Sequence, residues 1–584
     1  METRNCQNCK KDFNIEPDDF SFYQKIKVPP PTFCMGCRAE RRFAFRNERK
    51  LFKANSAFSG KNIFSLYPPS AGRKVVTDQE WFGDSWDAME YARDFDFSRD
   101  FFTQFFELEK EVPAYALNIE RMVDSPYAAN AATLKNCYLV FNSNSSEDCL
   151  YGNDYFLSKN CIDNSHVNSS EKCYECFWLY KCYECYFTIM SVESHNLWFC
   201  RDCLGCNDCF GCTNLRKSSY CIFNKQYTKE EYFRILSEMK LDTKTGIEEA
   251  SVVARAFWGT QINKYHQGLQ NLNSYGSYVS NSKNVTESYM VKGGEDVKYS
   301  QYASVAKIKD SYDYSIWGQD VELCYETSVC GENIYNVKFS WDCWPNNNNV
   351  EYSTHLKSCS DCFGCVGLRS KQYCIFNKQY TKEEYEVLVG KIKKHMDEMP
   401  YVDKKGNIYK YGEFFPIEFA SFGYNNSLAI QHFSITKEEI IENNYGWIEE
   451  EPGKYAITKM SSEIPESISE VDESITKEIL ECAQCRRPFR IVPNEFIFLK
   501  NGNLPIPSKC SECRHEHRIS DRFKIFLYDG HCMCGGSTDE TGQFKNTAKH
   551  THGDTPCGET FRTGFNPKYG DIVYCESCYQ KEVV

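Results

Sequence analysis

Residues 199–212, FCRDCLGCNDCFGC, place five cysteines at a spacing of three: Cys200, Cys203, Cys206, Cys209 and Cys212. Zinc sites and iron–sulfur clusters both use CxxC spacings, so the stretch first reads as a ligand cluster. The sequence on either side changes that reading. Cysteines stand at 137, 149, 161, 173 and 185, then at 209 and 221, all separated by multiples of 12. The thirteen cysteines from Cys137 to Cys221 all fall on one register of three. Other positions of that register are small or apolar, among them Val140, Ser143, Ser146, Gly152, Val167, Ser170, Leu179 and Thr188. Asp148, Asn160 and Asp208 stand just before period-12 cysteines, and Asn and Asp tolerate tight turns. A half-buried strand repeats every two residues and a helix every ~3.6. Period three nested in period twelve fits neither. It predicts a narrow β-solenoid, parallel β-helix-like, with a 12-residue coil that turns inward about four times.

The region is duplicated. DCFGCTNLRKSSYCIFNKQYTKEEY (208–232) recurs as DCFGCVGLRSKQYCIFNKQYTKEEY (361–385), with 20 of 25 positions identical. Coils of the second copy read Val285-Ser288-Val291-Gly294, Val297-Ser300-Ala303-Ala306, Val321-Cys324-Thr327-Cys330 and Ile334-Val337-Ser340-Cys343. One kind of inward slot thus takes Val, Ser, Ala, Gly, Thr or Cys, an interchange that metal ligands do not allow. Free cysteine behaves as a small buried hydrophobe. Stacked coils lie roughly 4.8 Å apart, leaving little room for a cluster. Core packing is therefore preferred for Cys173–Cys212 over a metal cluster or redox-active thiols. Similar 12-residue coils are known in insect antifreeze proteins, whose threonine arrays face ice; this chain has no repeated T-x-T, so that activity is not carried over.

Metal ligands are expected at the two ends. CQNC, 24 residues and CMGCR (Cys6, Cys9, Cys34, Cys37) match CAQC, 24 residues and CSECR (Cys482, Cys485, Cys510, Cys513). The segments align without a gap over 41 positions, 15 of them identical, including Phe13/Phe489, Pro17/Pro493, Phe20/Phe496 and Arg38/Arg514. Two CxxC knuckles supply four thiolates, which suit tetrahedral Zn²⁺ in a closed structural site. This pattern resembles treble-clef zinc-ribbon modules, and the whole arrangement resembles a group of large uncharacterised bacterial proteins that combine them. The resemblance implies zinc at the eight cysteines and supplies no activity. A further module is expected near the end, with Cys557, Cys575 and Cys578 as ligands and Cys534, His550 or His552 as the fourth; Cys532 belongs to it or is free. About three zinc ions follow in all. A silent copy of this last module lies at 59–81, where SGKNIFSLYPPSAGRKVVTDQEW aligns with CGETFRTGFNPKYGDIVYCESCY (557–579) and the ligand positions hold Ser59, Thr77 and Glu80.

The remaining chain gives weaker signals. The 584 residues carry a net charge of −13 and 33 cysteines. The start, METRNCQNCKKDF, has no apolar run, and no stretch approaches the ~18 apolar residues of a membrane helix. The expectation is a cytoplasmic protein with reduced thiols. CRAERRFAFRNERKLFK (37–53) is basic, so Arg38, Arg41, Arg42, Arg46 and Arg49 are candidates for nucleic-acid phosphates, with Phe43 and Phe45 for stacking. Thr228, Thr381 and Thr436 each open a T-K-E-E capping box. Ser98 is expected to cap a helix over 98–112. Asp94 and Asp96 read as surface or capping groups, and no phosphate loop or nucleophile–histidine set is present.

The expected organisation is mainly β with α. It comprises a zinc module (1–52), a degenerate module and helical segment (53–128), a first solenoid (129–227), a helical cap (228–273), a second solenoid (274–380), a second cap (381–450), a linker (451–475), and zinc modules at 476–525 and 526–584. The expected role is a non-enzymatic zinc scaffold engaging a protein or RNA, with no membrane and no small-molecule substrate. A redox or cluster protein using the central cysteines, and an enzyme with an unrecognised site, stand as alternatives.

Overall fold

The backbone of the cysteine-rich region accounts for its period. From Asn130 to Phe223, φ is positive at every third residue, including Asn136, Asp148, Asn160 and Asp208, with Gly205 and Gly211 completing the series. The left-handed conformation turns the chain sharply and costs non-glycine residues energy, least for Asn and Asp. Each corner is a three-residue unit: a left-handed residue, an inward residue, and a residue bridged in parallel to its counterpart 12 positions on. Tyr138 bridges Leu150, Phe141 bridges Asn153 and Glu147 bridges Lys159, while the strand pair Asn153–Phe156 and Ser165–Asn168 aligns Tyr155 with Val167. A computed structural model describes residues 1–449, 455–535, 546–553 and 555–584.

The same geometry explains the choice of inward side chains. The amide of each inward residue points into the core, away from the ladder, and a buried N–H needs an acceptor. Where the side chain one period earlier is Ser, Asn, Thr or Cys, it can supply it. Cys137 N donates to Ser125 Oγ at 2.9 Å, Cys182 N to Ser170 Oγ at 2.9 Å, Cys176 N to Asn164 Oδ1 at 2.7 Å and Thr188 N to Cys176 Sγ at 3.5 Å. The hydroxyl or thiol in turn donates to the carbonyl two residues before it: Ser143 to Phe141 O at 2.7 Å, Cys149 to Glu147 O at 3.3 Å. Small side chains that accept and donate fit this slot. Cysteine and serine alternate there because both do so.

The first parallel ladder begins at Ile119, paired with Ala131, ten residues before the expected boundary at 129. The second runs from Gly276 to Gln379. Its offset is 12 at Val285↔Val297, 14 at Val297↔Ser311, 13 at Val321↔Ile334 and Val337↔Val350, and 12 again at Val350↔Cys362. A uniform 12-residue repeat therefore does not hold in this copy. Two of the extra residues fall where consecutive residues are left-handed, at Ile316–Trp317 and Glu332–Asn333; the others lengthen the spacing between left-handed corners, from Tyr302 to Lys307 and from Asp342 to Asn346. Both ladders end in an antiparallel turn, Cys221↔Gln226 and Cys374↔Gln379. The helices Lys229–Glu238 and Lys382–Glu398 follow, opened by the capping boxes of Thr228 and Thr381 as expected; Thr436 opens a third over Lys437–Glu442.

Two expectations are corrected. The helix of the 98–112 segment is Phe101–Glu111, capped by Asp100, whose Oδ1 accepts from Thr103 N at 2.8 Å; Ser98 instead bonds Asp96. Its phenylalanines pack against Trp341 of the second ladder and against Phe415. The expected linker 451–475 is not free where it is described: Ile464, Ile468, Val471 and Ile475 are buried with Leu150, Ile162 and Tyr174 of the first ladder. Positions 451–454 lie outside the described residues. Among the described residues no helix is long and apolar enough to cross a membrane.

Candidate metal centres

Three four-cysteine groups share one construction. In the first, Cys6 and Cys9 lie in the turn of the hairpin Glu2–Asn5/Asp12–Ile15, and Cys34 caps the helix Met35–Ala44, with Cys37 in its first turn. Lys10 is left-handed (φ 59°) and its N–H bonds Cys6 O at 3.0 Å, closing the knuckle. Cys34 N donates to Cys6 Sγ at 3.3 Å, and Cys9 and Cys34 sulfurs stand 3.7 Å apart. Around a tetrahedral ion with metal–sulfur bonds of about 2.3 Å, sulfurs stand about 3.8 Å apart. The second group repeats this. Arg486 is left-handed, Cys510 N donates to Cys482 Sγ at 3.2 Å, and the Cys482–Cys513 and Cys485–Cys510 separations are both 3.8 Å. Helix N-termini favour thiolates, which are the metal-binding form.

The third group is completed by Cys532. Cys532, Cys557, Cys575 and Cys578 converge, Cys575 caps the helix Glu576–Glu582, and Cys575 N donates to Cys532 Sγ at 3.2 Å. That last bond matches Cys34 to Cys6 and Cys510 to Cys482. Cys534 and His552, expected as fourth ligands here, gather instead with His550 and Cys578 in a separate group. The distinguishing signal in the sequence was the shared position of Cys532, Cys6 and Cys482 just after a hairpin strand.

The silent copy has the same framework. The hairpin Phe52–Asn55/Asn62–Ser65, the left-handed Gly72, the strand Val75–Val76 and the helix Asp78–Phe82 correspond to Tyr528–His531/Thr560–Thr563, Gly570, Val573–Tyr574 and Glu576–Glu582. Gly60 N bonds Ser56 O at 2.9 Å, as Lys10 N bonds Cys6 O. Ser56 is therefore the fourth ligand-equivalent position, and NSAFSGK (55–61) lies on NCQNCKK (5–11). In place of an ion stands the Glu80 carboxylate. Oε2 accepts from Ser56 Oγ at 2.5 Å, Thr77 Oγ1 at 2.9 Å and Thr77 N at 2.9 Å. Desolvation pushes its pKa up, but the hydrogen bonds from Ser56, Ser59 and Thr77 outweigh that and hold it at about 2.

The candidate phosphate-binding arginines are internal. Arg38 pairs with Asp313 at 2.8 Å, Arg41 with Glu326 and Glu413 at 2.9 Å each, and Arg42 with Glu326 at 3.0 Å and Asp313 at 3.2 Å. Arg41 also lies over the Phe33 ring at 4.0 Å. Arg46 bonds Asn130 at 3.0 Å, and Arg49 lies 3.8 Å from Glu512 and over Phe141. Phe43 and Phe45 are buried. Nucleic-acid contact through these residues is thereby corrected: the helix Met35–Ala44 presents Arg38, Arg41 and Arg42 to Asp313 and Glu326 of the second ladder, while Arg46 and Arg49, beyond the helix, turn to Asn130 and Phe141 of the first. The matching helix Ser511–Ser520 docks on the first ladder in the same way. Arg514 pairs with Asp163 at 2.7 Å and Glu495 at 2.9 Å, and Arg518 with Glu175 at 2.9 Å and Asp163 at 3.3 Å.

The ladder cysteines are buried and belong to none of the metal-capable groups found among the described residues. Burial, and then the neighbouring Cys185, push the Cys176 thiol well up, whereas hydrogen bonds from Cys200 and Cys209 hold Cys212 down at about 5; inaccessibility, not a uniformly raised pKa, sets these thiols apart. Asp94 pairs with Lys378 at 2.6 Å, and Asp96 accepts from Ser98 N at 2.8 Å. No protein-family model matches the chain, and no curated protein matches it significantly.

Proposed function

We propose that the protein is a non-enzymatic, zinc-stabilised scaffold. Treble-clef zinc modules clamp two narrow β-solenoids, and the outer faces of the assembly bind a macromolecular partner. The observation that carries this reading is the shared docking. Each CxxC…CxxC module sends arginines from its second helix into paired, buried carboxylates of a ladder. Metal and docking then act as one device, since the thiol group sets the helix and the helix sets the arginines. Four thiolates per site favour Zn²⁺ in a closed, structural role. The net charge of −13 and the internal use of Arg38, Arg41 and Arg42 favour a protein partner over RNA.

Protein purified without added metal tests the reading. Elemental analysis is expected to give at least three zinc ions per chain and neither iron nor acid-labile sulfide. Chelation is expected to unfold the terminal modules. Iron with sulfide, or full structure after the zinc is removed, would contradict it. A filter-binding series across salt is expected to give no salt-sensitive RNA affinity; a steep slope would replace the protein partner with RNA.

A further inference from the structure

The geometry points to a fourth metal ion, held by Cys534, His550, His552 and Cys578 and sharing the Cys578 thiolate with the neighbouring four-cysteine site. The C-terminal module is thus a thiolate-bridged two-metal centre. The inference rests on the zinc reading above only in taking Cys532, Cys557, Cys575 and Cys578 as a metal site.

Four ligand atoms converge there. Cys534 Sγ lies 3.4 Å from both His550 Nδ1 and His552 Nε2, the two nitrogens are 3.2 Å apart, and Cys578 Sγ is 3.3 Å from His552 Nε2. In a tetrahedral zinc site, sulfur and nitrogen ligands stand about 3.5 Å apart and two nitrogens about 3.3 Å apart.

The outer nitrogens settle the tautomers. His550 Nε2 meets a Glu582 carboxylate oxygen at 2.7 Å, and His552 Nδ1 meets Thr555 O at 2.7 Å. Each outer nitrogen therefore donates, and in the neutral imidazole, the metal-binding form, this leaves a lone pair on His550 Nδ1 and on His552 Nε2. The two lone pairs stand 3.2 Å apart beside the Cys534 and Cys578 sulfurs, an arrangement that one cation among the four atoms would satisfy. A carboxylate–histidine pair of this kind orients metal ligands and raises their basicity. Glu582 is itself fixed by Thr547 N, Thr547 Oγ1 and Ala548 N, at 2.7–3.1 Å, and both His550 and Glu582 are almost wholly buried. Asn546 Nδ2 donates to Cys534 Sγ at 3.1 Å.

Cys578 belongs to both groups. Five thiolates around two divalent ions leave one net negative charge, where four thiolates around one ion leave two. Each ion has four protein ligands, so the centre is closed and structural, with no open position for a reacting water. The C-x-C at 532–534 and the H-x-H at 550–552 are its signature. The other CxxC modules lack both, and Phe58 occupies the position of Cys534 in the silent copy.

The test uses the full chain, loaded with Zn²⁺ under reducing conditions, desalted, and weighed by native mass spectrometry. Four ions are expected, and three in a chain carrying both His550→Ala and His552→Ala. Three ions in the unaltered chain would overturn the fourth site and leave the scaffold reading standing; fewer than three would overturn that reading as well. In the ¹¹³Cd-substituted chain, splitting between two cadmium resonances is expected through Cys578 and is lost in the double-histidine variant. Four resonances without splitting would overturn the bridge.

Discussion

Residues 52–82 and the described residues of 528–582 build the same hairpin, left-handed glycine, short strand and helix, one around a carboxylate and the other around thiols. A unit of this size has too little core to fold alone and usually needs a metal or a staple. The thiol version has its ligands. The carboxylate version is held by what surrounds it. Its strand pairs with the segment leading into the first ladder, Val75↔Ala114. Buried Trp81 donates to Pro113 O at 3.0 Å, and Asp78 accepts from Leu117 N and Ile119 N at 3.1 and 2.8 Å. Glu80 satisfies the donors that would otherwise face a void. The thiol unit is braced too, by Asn263↔Val573 and by Lys264 on Glu576 at 2.8 Å, so the two units differ chiefly at their centres: a carboxylate satisfied by hydroxyls in one, four thiols that suit a metal ion in the other.

The comparison can be broken most severely at a thiol. Zinc contributes about 10–16 kcal/mol to the folding of isolated zinc-finger peptides. Cys485→Ser is expected to lose one ion and the hydrogen-exchange protection of Ser511–Ser520, while residues 52–82 stay protected. Loss of protection in both segments would remove the distinction. The next effect lies at the docking ion pairs. Asp163→Ala leaves Arg514 and Arg518 buried with fewer counter-charges, at a cost of about 3–5 kcal/mol. Denaturant unfolding should show this, and a change within 0.5 kcal/mol, the ~0.5 kcal/mol scatter of neutral surface substitutions, would show that the pairs do not hold the module.

Glu80 gives a smaller and pH-dependent effect. Its folded pKa, about 2, lies below the ordinary glutamate value of about 4.3. The stabilisation is therefore complete above about pH 4.3 and lost as pH falls through about 2. Glu80→Gln is expected to cost about 1 kcal/mol at neutral pH and to flatten that acid dependence; an unchanged acid profile would show that the cluster does not replace the ion. The smallest effect lies on the ladder surface. Leu157 is 57% exposed with φ 51°. Leu157→Asn is expected to stabilise by about 1 kcal/mol, because Asn tolerates the left-handed corner, and a lower melting temperature would contradict the strain assigned to these corners.

Much of this was legible in the sequence, and the failures have physical causes. The register of three was visible because every corner repeats one backbone conformation, and Cys and Ser mark it because the inward amide needs a small acceptor. The insertions in the second ladder were hidden because Val, Ser and Ala carry no phase of their own. Cys532 was ambiguous beside Cys534, since two cysteines two residues apart serve two different groups. The arginines misled for a different reason. Arg38, Arg41 and Arg42 look like a phosphate-binding face, but their partners Asp313, Glu326 and Glu413 lie more than 270 residues away, and charge pairing at that distance leaves no local trace.

Metal in the terminal modules and a hydrogen-bonded core of ladder cysteines call for opposite behaviour of the two sets of thiols. Thiol alkylation followed by peptide mass spectrometry, before and after mild chelation, tests it most directly. Chelation is expected to expose Cys6, Cys9, Cys34 and Cys37, together with the cysteines from Cys482 to Cys578, while Cys137–Cys221 and Cys324–Cys374 stay unmodified until the chain unfolds. Modification of Cys200–Cys212 on chelation, at the rate of the terminal cysteines, would contradict it.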